Sequence, residues 1–459
     1  MEAYDLVVLG SGSAGVAAAL EASAQGAKVL VVERGTLGGT CVNGGCVPSK
    51  YLLWAGEAAH RSAHPTVPGV GATDPPIDWA ALLAGKDRLI EALRTEKYAD
   101  VLALAGVPVR RGTARFVDSR TIAIDGEEVR AVRTVIATGA RPALPPIPGL
   151  ADARPWTYLE AVHPDVRPRT LAVLGAGPVG LELAQAYARL GTRVTVLEAA
   201  PRVLPQEDED LALRLQGYLE AEGLVIRTGA RVERVEAHDG GVRLHLIEDV
   251  VEAERLLVAT GRRANVEGLN LADAGVETDT RGFVRVDDRL ATSRPEVFAA
   301  GDVAGLPQYV YVAALAGRVA AANALGHQRT LDLRGLPRVT FTDPALAAVG
   351  PTEADLRASL GNRLRVARLD LHDLPQARLA GDERGLFKWL VDNEDRVHAL
   401  HVLAPHAGDV IQEGVLAVRF GLRVSDLLDA FHPYLTRAEG LRLALQSLVT
   451  DVHRLSCCA

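Results

Sequence analysis

The sequence predicts an α/β protein with two Rossmann-like domains and a C-terminal α+β domain, and three observations carry this prediction. Residues 5–34 and 170–199 repeat one pattern 165 residues apart: an apolar strand, a glycine-rich turn, an Ala-rich helix, and a second strand ending in Glu. An Ala-Thr-Gly motif follows each copy, at residues 137–139 and 259–261. The chain from Leu336 onwards mixes strand-like and helical segments without a phosphate-binding loop. A length of 459 residues suits about three domains.

The two copies share their glycines and their acidic residue. In such a strand–turn–helix unit the glycines let the backbone approach a pyrophosphate, the helix N-terminus faces the phosphates, and the acid binds the ribose hydroxyls. A glycine turn that merely packs a helix on a strand is the weaker interpretation, because strand, helix and acid all recur. Two bound dinucleotides are therefore predicted, on Gly10, Gly12, Gly15 and Glu33 in the first copy and on Gly175, Gly177, Gly180 and Glu198 in the second.

Further segments outline the rest of the fold. Residues 121–124 and 132–138 read as strands that close the first domain, and the Pro-rich stretch 141–148 reads as a linker. The strand 297–299 runs into a turn whose Asp302 could meet a ribose or polyol, although an ordinary Asx turn would explain it in isolation.

The C-terminal part is predicted to contain a strand at 385–391 and helices at 407–420 and 437–449. We expect a discontinuous first domain of residues 1–148 and 265–335, a second domain of residues 149–264, and an interface or dimerisation domain of residues 336–459.

Composition excludes several classes of protein. The formal net charge is −8, from 50 basic and 58 acidic side chains, and no run of Lys and Arg provides the footprint of a nucleic-acid binder. No stretch approaches the roughly 18 apolar residues of a membrane helix. The first residues lack the basic region of a signal peptide. We therefore expect a cytoplasmic protein with neither a nucleic-acid nor a membrane partner.

The four cysteines form two tight pairs, Cys41 with Cys46 and Cys457 with Cys458. Four thiols in a long cytosolic chain do not make a disulfide framework, so the pairs indicate thiol chemistry. Cys41 and Cys46 are expected on one turn at the start of a helix, where a helix N-terminus lowers the pKa of a thiol. A structural metal site is disfavoured because zinc needs four ligands, and no further Cys or His lies at a useful spacing from Cys41 and Cys46.

The run GGTCVNGGCVPSK at residues 38–50 resembles the signature of the class I pyridine nucleotide-disulfide oxidoreductases, and the resemblance covers essentially the whole chain. It implies FAD on the first unit, NADH or NADPH on the second, and a homodimer formed through the C-terminal domain. Cys41 would then be the interchange thiol and Cys46 the thiolate against the flavin. Lys50 would lie beside the flavin with Glu182 as its ion-pair partner. The remaining FAD-binding residues would be Thr40, Thr138, Gly139 and Asp302.

The C-terminal region separates the members of this family. Members that act on organic disulfides carry a His five residues before a Glu, and this His shuttles protons to the leaving thiol. Five residues before Glu439 this chain has Tyr434. A phenol with a pKa near 10 is a poor proton shuttle at neutral pH. An ordinary disulfide substrate is therefore disfavoured, unless His432 takes over the role.

Tyr434, the Cys457–Cys458 pair and residues 308–314 together resemble the mercuric reductase group of this family, and Tyr98 resembles its other active-site tyrosine. Thiolates are preferred ligands of soft metal ions. The resemblance implies that the terminal pair of one subunit captures Hg(II) and passes it to Cys41 and Cys46 of the other. Tyr98 and Tyr434 would flank the metal during this transfer. Small thiols or Hg(II) carriers would deliver the ion.

Two other functions remain open at this point. A thioredoxin-reductase-like enzyme with a C-terminal redox dithiol would depend on His432. A flavin-containing binding subunit without turnover is disfavoured by the complete set of Cys41, Cys46, Lys50 and Glu182. For the nicotinamide donor NADH is slightly favoured, because Glu198 repels a 2′-phosphate, although Arg202 could offset this.

Overall fold

The computed structural model describes residues 1–451, which form two compact units. Unit 1 comprises Met1–Ser49, Trp79–Leu144 and Gly261–Leu333, and unit 2 comprises Lys50–Asp78, Pro145–Thr260 and the chain from Arg334 onwards. The predicted thiol pair Cys457–Cys458 lies outside the described residues. Within residues 1–451, no helix combines the length and the apolar character needed to cross a membrane.

The strands of residues 1–451 are β1 Glu2–Leu9, β2 Val29–Glu33, β3 Val109–Arg111, β4 Ala114–Asp118, β5 Thr121–Ile124, β6 Glu127–Ile136, β7 Ala140–Pro142, β8 Thr170–Leu174, β9 Arg193–Leu197, β10 Val225–Arg227, β11 Val232–His238, β12 Gly241–Leu246, β13 Val250–Ala253, β14 Arg255–Val258, β15 Arg262–Ala264, β16 Val297–Ala299, β17 Pro337–Thr340, β18 Ala345–Val349, β19 Arg365–Asp370, β20 Leu386–Val391 and β21 Val397–Ala404.

The α-helices are α1 Ser13–Ala24, α2 Gly39–Asn43, α3 Cys46–Ala63, α4 Trp79–Arg94, α5 Asp100–Leu104, α6 Tyr158–Ala161, α7 Pro178–Arg189, α8 Glu209–Ala221, α9 Val310–Ala324, α10 Glu353–Leu360, α11 Pro375–Ala380, α12 Ala407–Phe420, α13 Val424–Leu428 and α14 Arg437–Gln446. A π-helical turn, Thr95–Ala99, joins α4 to α5, and 3₁₀ turns occupy Asp302–Ala304, Gly361–Arg363 and Leu371–Asp373.

Unit 1 is built on a seven-stranded sheet in the order β3-β2-β1-β6-β5-β4, with β16 also paired to β6. The strands β1, β2, β3, β6 and β16 pair in parallel, while β4 and β5 join antiparallel. Apolar clusters cover both faces of this sheet, and α1 and α9 pack on one of them. Because parallel strands are buried on both faces, they read as the continuous apolar runs seen in the sequence.

Unit 2 contains the second repeat as a parallel sheet in the order β10-β9-β8-β14, next to a three-stranded antiparallel sheet β11-β12-β13. The chain after Arg334 forms a five-stranded antiparallel sheet in the order β17-β18-β21-β20-β19. All six residues of β20 are buried, and helices α12 and α14 pack against this sheet. The predicted fold class is confirmed.

Individual elements show where the sequence prediction was right and where it was wrong. The strand at β5 and the helix at α12 have the predicted bounds, and α14 ends three residues earlier than predicted, at Gln446. The predicted linker 141–148 is wrong at its start, because Arg141 and Pro142 belong to β7, which pairs antiparallel with β15. Proline is accepted there because β7 has only one partner strand, an edge position.

A buried ionic cluster in unit 2 was not predicted from the sequence. Lys388, 1% exposed on β20, lies 3.1 Å from Asp208, 2.9 Å from Asp210 and 2.6 Å from Glu353. Beside it, the fully buried His401 on β21 bonds through Nε2 to the carbonyl of Pro351 at 2.9 Å. Its Nδ1 finds no hydrogen-bond partner among residues 1–451. Burial lowers the pKa of His401, which keeps the ring neutral.

This buried imidazole predicts a pH-dependent stability. Because the pKa of His401 is lower in the folded chain than its unfolded value of about 6.5, unfolding takes up a proton below that pH. We expect the apparent melting temperature to fall as the pH drops from 7.5 to 5.5. The contribution of His401 to the free energy of unfolding should decrease by at most about 1.4 kcal/mol per pH unit. His401→Gln should flatten this dependence, and an unchanged slope in the variant would contradict the assignment.

Candidate functional site

The glycine turn of unit 1 is shaped to receive a diphosphate. A Cβ on Gly15 would lie 1.9 Å from the carbonyl oxygen of Gly10, so only glycine lets α1 pack this closely on β1. A Cβ on Gly12 would meet nothing nearer than 3.8 Å, which leaves the start of the helix open. No side chain of residues 1–451 caps α1 at Gly12. Its first N–H groups are therefore available to an anion.

The acid of each repeat closes back onto its own turn. Glu33 accepts hydrogen bonds from the backbone N–H groups of Ser11 at 2.9 Å and Gly35 at 2.7 Å. In the second copy Glu198 accepts equivalent bonds from Ala176 at 2.7 Å and Ala200 at 2.8 Å. These donors are 165 residues apart, as the repeat requires. Both carboxylates are thus fixed beside the glycine turn of their own repeat.

The far side of the unit 1 site contains Asp302 and the Ala-Thr-Gly turn. Burial raises the pKa of Asp302, and the guanidinium of Arg262, 3.1 Å away, opposes that shift. The Thr138 hydroxyl donates to the carbonyl of Asn265 at 2.7 Å, and the Asn265 amide donates back to the carbonyl of Thr138 at 2.9 Å. The backbone N–H of Asn265 donates to the carbonyl of Gly139 at 3.0 Å.

The two thiols are placed on two different helices. Cys41 lies within the five-residue α2, and Cys46 is the first residue of α3. The expectation of one shared turn is wrong, because α2 ends at Asn43 and the next residue, Gly44, caps it by donating its N–H to the carbonyl of Thr40 at 2.9 Å. Both cysteines are partly buried. Only Cys46 stands at the start of a long helix.

The thiol segment abuts the glycine turn directly. The N–H of Gly38 donates to the hydroxyl of Ser11 at 3.1 Å. A Cβ on Gly39 would lie 2.6 Å from the Cα of Gly12, so this approach requires glycine. Cys41 therefore follows, within two residues, a backbone pressed against the predicted phosphate-binding turn.

Tyr98 is brought to the same place by an irregular helix. It lies in the π-helical turn Thr95–Ala99, and such turns frequently mark functional sites. Its ring is 3.4 Å from a Cβ built on Gly38. Burial raises the pKa of Tyr98, a hydrogen bond with Ser13 opposes this, and the charges of Cys41 and Cys46 add to the rise. The phenol thus stays protonated at neutral pH, within electrostatic reach of both thiols.

Unit 2 brings Lys50 and Glu182 together. Lys50 Nζ lies 2.6 Å from Glu182 Oε2 and 4.5 Å from the centroid of the Phe341 ring. The other carboxylate oxygen, Oε1, accepts the backbone N–H of Phe341 at 2.9 Å. The Glu182 side chain is 7% exposed, so both of its oxygens are held in a largely dry setting.

Tyr434 and His432 lie in the segment that leads to α14. Tyr434 is 52% exposed. The His432 side chain is 5% exposed, with Nε2 at 3.1 Å from Glu413 and Nδ1 at 3.1 Å from the carbonyl of Ala430. Glu439 accepts the backbone N–H of Leu435 at 3.0 Å. For His432 to act as a mobile base, both contacts of its ring would have to break.

Arg202 is turned to the backbone of its own loop. Its guanidinium donates to the carbonyls of Leu204 at 2.9 Å and Pro205 at 2.8 Å. Neither bond involves Glu198. In this structure the Arg202 guanidinium therefore does not neutralise the Glu198 carboxylate, the possibility that the sequence had left open.

Sequence reasoning missed several residues that hold the site. Ser11 and Asn265 support the glycine and Ala-Thr-Gly turns, and Arg262 pairs with Asp302. The only available signal was their position, next to a motif already recognised. Residues 1–451 contain no group of three or more His, Cys, Asp or Glu side chains arranged to hold a metal.

Two dinucleotide sites and a thiol pair beside one of them define a flavin-dependent oxidoreductase that uses a nicotinamide dinucleotide. The family model described as "Pyridine nucleotide-disulphide oxidoreductase" matches residues 4–317, and its "dimerisation domain" model matches residues 336–445. The chain belongs to this family. Its cofactors are FAD and NADH or NADPH, as predicted, and the dimerisation domain supports the predicted homodimer.

Named relatives cover nearly the whole chain. A mercuric reductase of Streptomyces lividans is 44% identical over 99% of this chain and 98% of its own length. A mercuric reductase of Staphylococcus aureus is 41% identical over 99% of this chain and 84% of its own length. Among solved structures, the HOCl-induced flavoprotein disulfide reductase RclA from Escherichia coli has a TM-score of 0.88 at 30% identity, covering 97% of this chain and 100% of its own.

The positions of Glu198 and Arg202 predict a preference for NADH. The 2′-phosphate of NADPH would be repelled by the fixed Glu198 carboxylate, and no free guanidinium would compensate. We expect Glu198→Ala to raise kcat/KM for NADPH relative to kcat/KM for NADH about tenfold, equivalent to about 1.4 kcal/mol. Arg202→Ala is the matched control and should leave the ratio nearly unchanged. A selective loss of NADPH turnover in Arg202→Ala would show that this arginine does bind the 2′-phosphate.

Proposed function

We propose that this protein reduces Hg(II) to Hg(0) with electrons from NADH or NADPH. The observation that carries the proposal is the position five residues before Glu439, where a phenol replaces the base of disulfide-reducing relatives. The neighbouring His432 is held by Glu413 and Ala430. Reduction of Hg(II) cleaves no disulfide bond, so the electron transfer itself forms no organic thiolate for a base to protonate, and such a base is dispensable. Identities of 41–44% to mercuric reductases support the same substrate.

The retained alternative, a thioredoxin-reductase-like enzyme, receives less support. It depends on proton transfer at His432, whose side chain is nearly buried and hydrogen-bonded at both nitrogens. The similarity to a flavoprotein disulfide reductase, at 30% identity, is lower than the similarity to the mercuric reductases.

In the proposed reaction Cys41 and Cys46 are the ligands of the substrate Hg(II). Each thiol loses its proton as it binds the metal, and two thiolates satisfy a soft ion that prefers sulfur. The Tyr98 hydroxyl, protonated at neutral pH, donates a hydrogen bond to thiolate sulfur while ligands are exchanged. FAD, when bound, supplies the two-electron transfer. The overall balance is NAD(P)H and Hg²⁺ giving NAD(P)⁺, H⁺ and Hg(0).

The cofactor-binding roles follow from the same assignment. Gly10, Gly12, Gly15, Glu33, Thr40, Lys50, Thr138, Gly139 and Asp302 would hold FAD, and Gly175, Gly177, Gly180 and Glu198 would hold the nicotinamide dinucleotide. The domains would be 1–148 with 265–335 for FAD, 149–264 for the dinucleotide, and 336–459 for dimerisation. Pairing of β16 with β6 supports the discontinuous first domain. Dependence on NAD(P)H and reduced thiols supports a cytoplasmic location.

Delivery of the metal is assigned to the terminal cysteines. Cys457 and Cys458 of one subunit would take Hg(II) from small thiols or a carrier and pass it to Cys41 and Cys46 of the other, with Tyr434 beside the route. Each exchange replaces one thiolate by another, and the displaced thiolate takes up the proton that the incoming thiol releases. A tethered pair acts at a high effective concentration, which matters when free thiol is scarce.

Replacement of Tyr98 tests its proposed hydrogen bond. Tyr98→Phe removes a donor to charged sulfur worth about 1.5–3 kcal/mol, so kcat for Hg(II) should fall roughly tenfold to a hundredfold. Tyr218→Phe on α8 is the matched control and should keep the wild-type rate. Equal rates for Tyr98→Phe and the control would remove Tyr98 from the reaction.

The role of the terminal pair is tested at two thiol concentrations. We expect the double variant Cys457→Ser with Cys458→Ser to lose on the order of tenfold to a hundredfold in kcat/KM for Hg(II) at low external thiol, because the tethered ligands are gone. Excess small thiol should restore most of this loss. Ser456→Ala serves as the control. Unchanged Hg(II) turnover of the double variant at low thiol would refute the delivery role.

A further inference from the structure

One face of helix α7 is bonded to residues 341–343, the short segment that follows β17. Glu182, Gln185 and Arg189 follow one another at intervals of three and four residues, so they lie along one face of the helix. All three bond to residues 341–343. Glu182 accepts the N–H of Phe341 at 2.9 Å, and Arg189 lies 2.9 Å from the carboxylate of Asp343.

Gln185 makes the central contact of this set. Its Oε1 accepts the backbone N–H of Asp343 at 2.8 Å, and its Nε2 donates to the backbone carbonyl of the same residue at 2.8 Å. The same Nε2 also donates to the carboxylate of Glu222 at 3.1 Å. Gln185 is fully buried. A side-chain amide that pairs with both backbone groups of one residue fixes the position of that residue along the helix axis. Movement in either direction would break a hydrogen bond between buried groups.

The lower end of the set is anchored by charge. Arg189, 5% exposed, bonds to both oxygens of Glu222 at 2.8 and 2.7 Å. Arg384 bonds to Glu222 at 2.9 Å and lies 3.4 Å from Asp343. The Asp343 carboxylate is thus held between two guanidinium groups.

The upper end is the pair that accompanies the flavin in the proposed function. One oxygen of Glu182 is bonded to Lys50 and the other to the N–H of Phe341. Since Phe341 is only two residues from Asp343, the amide contact made by Gln185 determines where this N–H is presented. The Phe341 ring, beside which Lys50 Nζ lies, moves with the same backbone.

We propose that Gln185 is a positioning residue for the Lys50–Glu182 pair, acting through the backbone of residues 341–343. The hydrogen bonds of its side chain go to Asp343 and Glu222, and through Asp343 it fixes the N–H that orients the Glu182 carboxylate. Its effect should therefore appear in flavin properties that depend on the Lys50 charge. The inference rests on the proposed placement of Lys50 beside the flavin, but it is independent of the metal substrate.

The test is a double-mutant cycle on the FAD-loaded dimer without Hg(II). Gln185→Met keeps the size of the side chain and removes its hydrogen bonds. Gln216→Met, on α8, is the matched control, because the Gln216 amide donates to the exposed Glu220 on its own helix. The flavin midpoint potential, the flavin absorption spectrum and the rate of flavin reduction by NADH are measured in each variant, alone and together with Glu182→Gln.

We expect Gln185→Met to lower the flavin midpoint potential and to slow flavin reduction by NADH about tenfold, with the control unchanged. In the Glu182→Gln background the same substitution should have no further effect, because Gln185 acts through Glu182. Additive effects of the two substitutions, or a wild-type potential in folded Gln185→Met, would overturn the proposal. If Gln185→Met fails to bind FAD, Asp343→Asn is used in its place in the same cycle and judged by the same criteria. This substitution weakens the ion pair between Asp343 and Arg189. Failure of Hg(II) reduction would leave these flavin measurements unaffected.

Discussion

The structure depends on a contact that only glycine permits, and the contact occurs twice. A Cβ on Gly15 would lie 1.9 Å from the carbonyl oxygen of Gly10, and a Cβ on Gly180 would lie 2.0 Å from that of Gly175. Each contact brings the start of a helix directly onto the end of a strand, and a helix N-terminus favours an anion such as a diphosphate. The acid at the end of the next strand then bonds back to the turn. Everything proposed about electron transfer requires these two turns.

The first turn also sets the position of the thiols. Because Gly39 can lie against Gly12, the chain that follows carries Cys41 and Cys46 past the predicted phosphate site. The π-helical turn brings Tyr98 to the same segment from another direction. A protonated phenol and two thiols make a site suited to a soft metal ion. They provide no base of the kind that an organic disulfide requires.

Much of this arrangement could be predicted from the sequence, because it depends on local patterns. The glycine turns, the acid of each repeat and the cysteine motif belong to short sequence patterns. Each pattern predicts the local backbone conformation of its own segment. Contacts between distant segments could not be predicted. The sequence around Arg202 does not indicate that its guanidinium donates to the carbonyls of Leu204 and Pro205. The Gln185 contact with Asp343 spans 158 residues and depends on tertiary packing. The break between α2 and α3 follows from Gly44, which the motif alone gave no reason to treat as a helix end.

The central claim is that this site delivers two electrons to Hg(II). Its most direct measurement is the yield of volatile Hg(0) from purified, FAD-loaded protein, under anaerobic conditions with excess small thiol and a known amount of NADH. We expect one Hg(0) released for each NADH oxidised, with no oxidation of NADH when Hg(II) is withheld. Oxidation of NADH without release of Hg(0), or rapid turnover of an organic disulfide in its place, would contradict it.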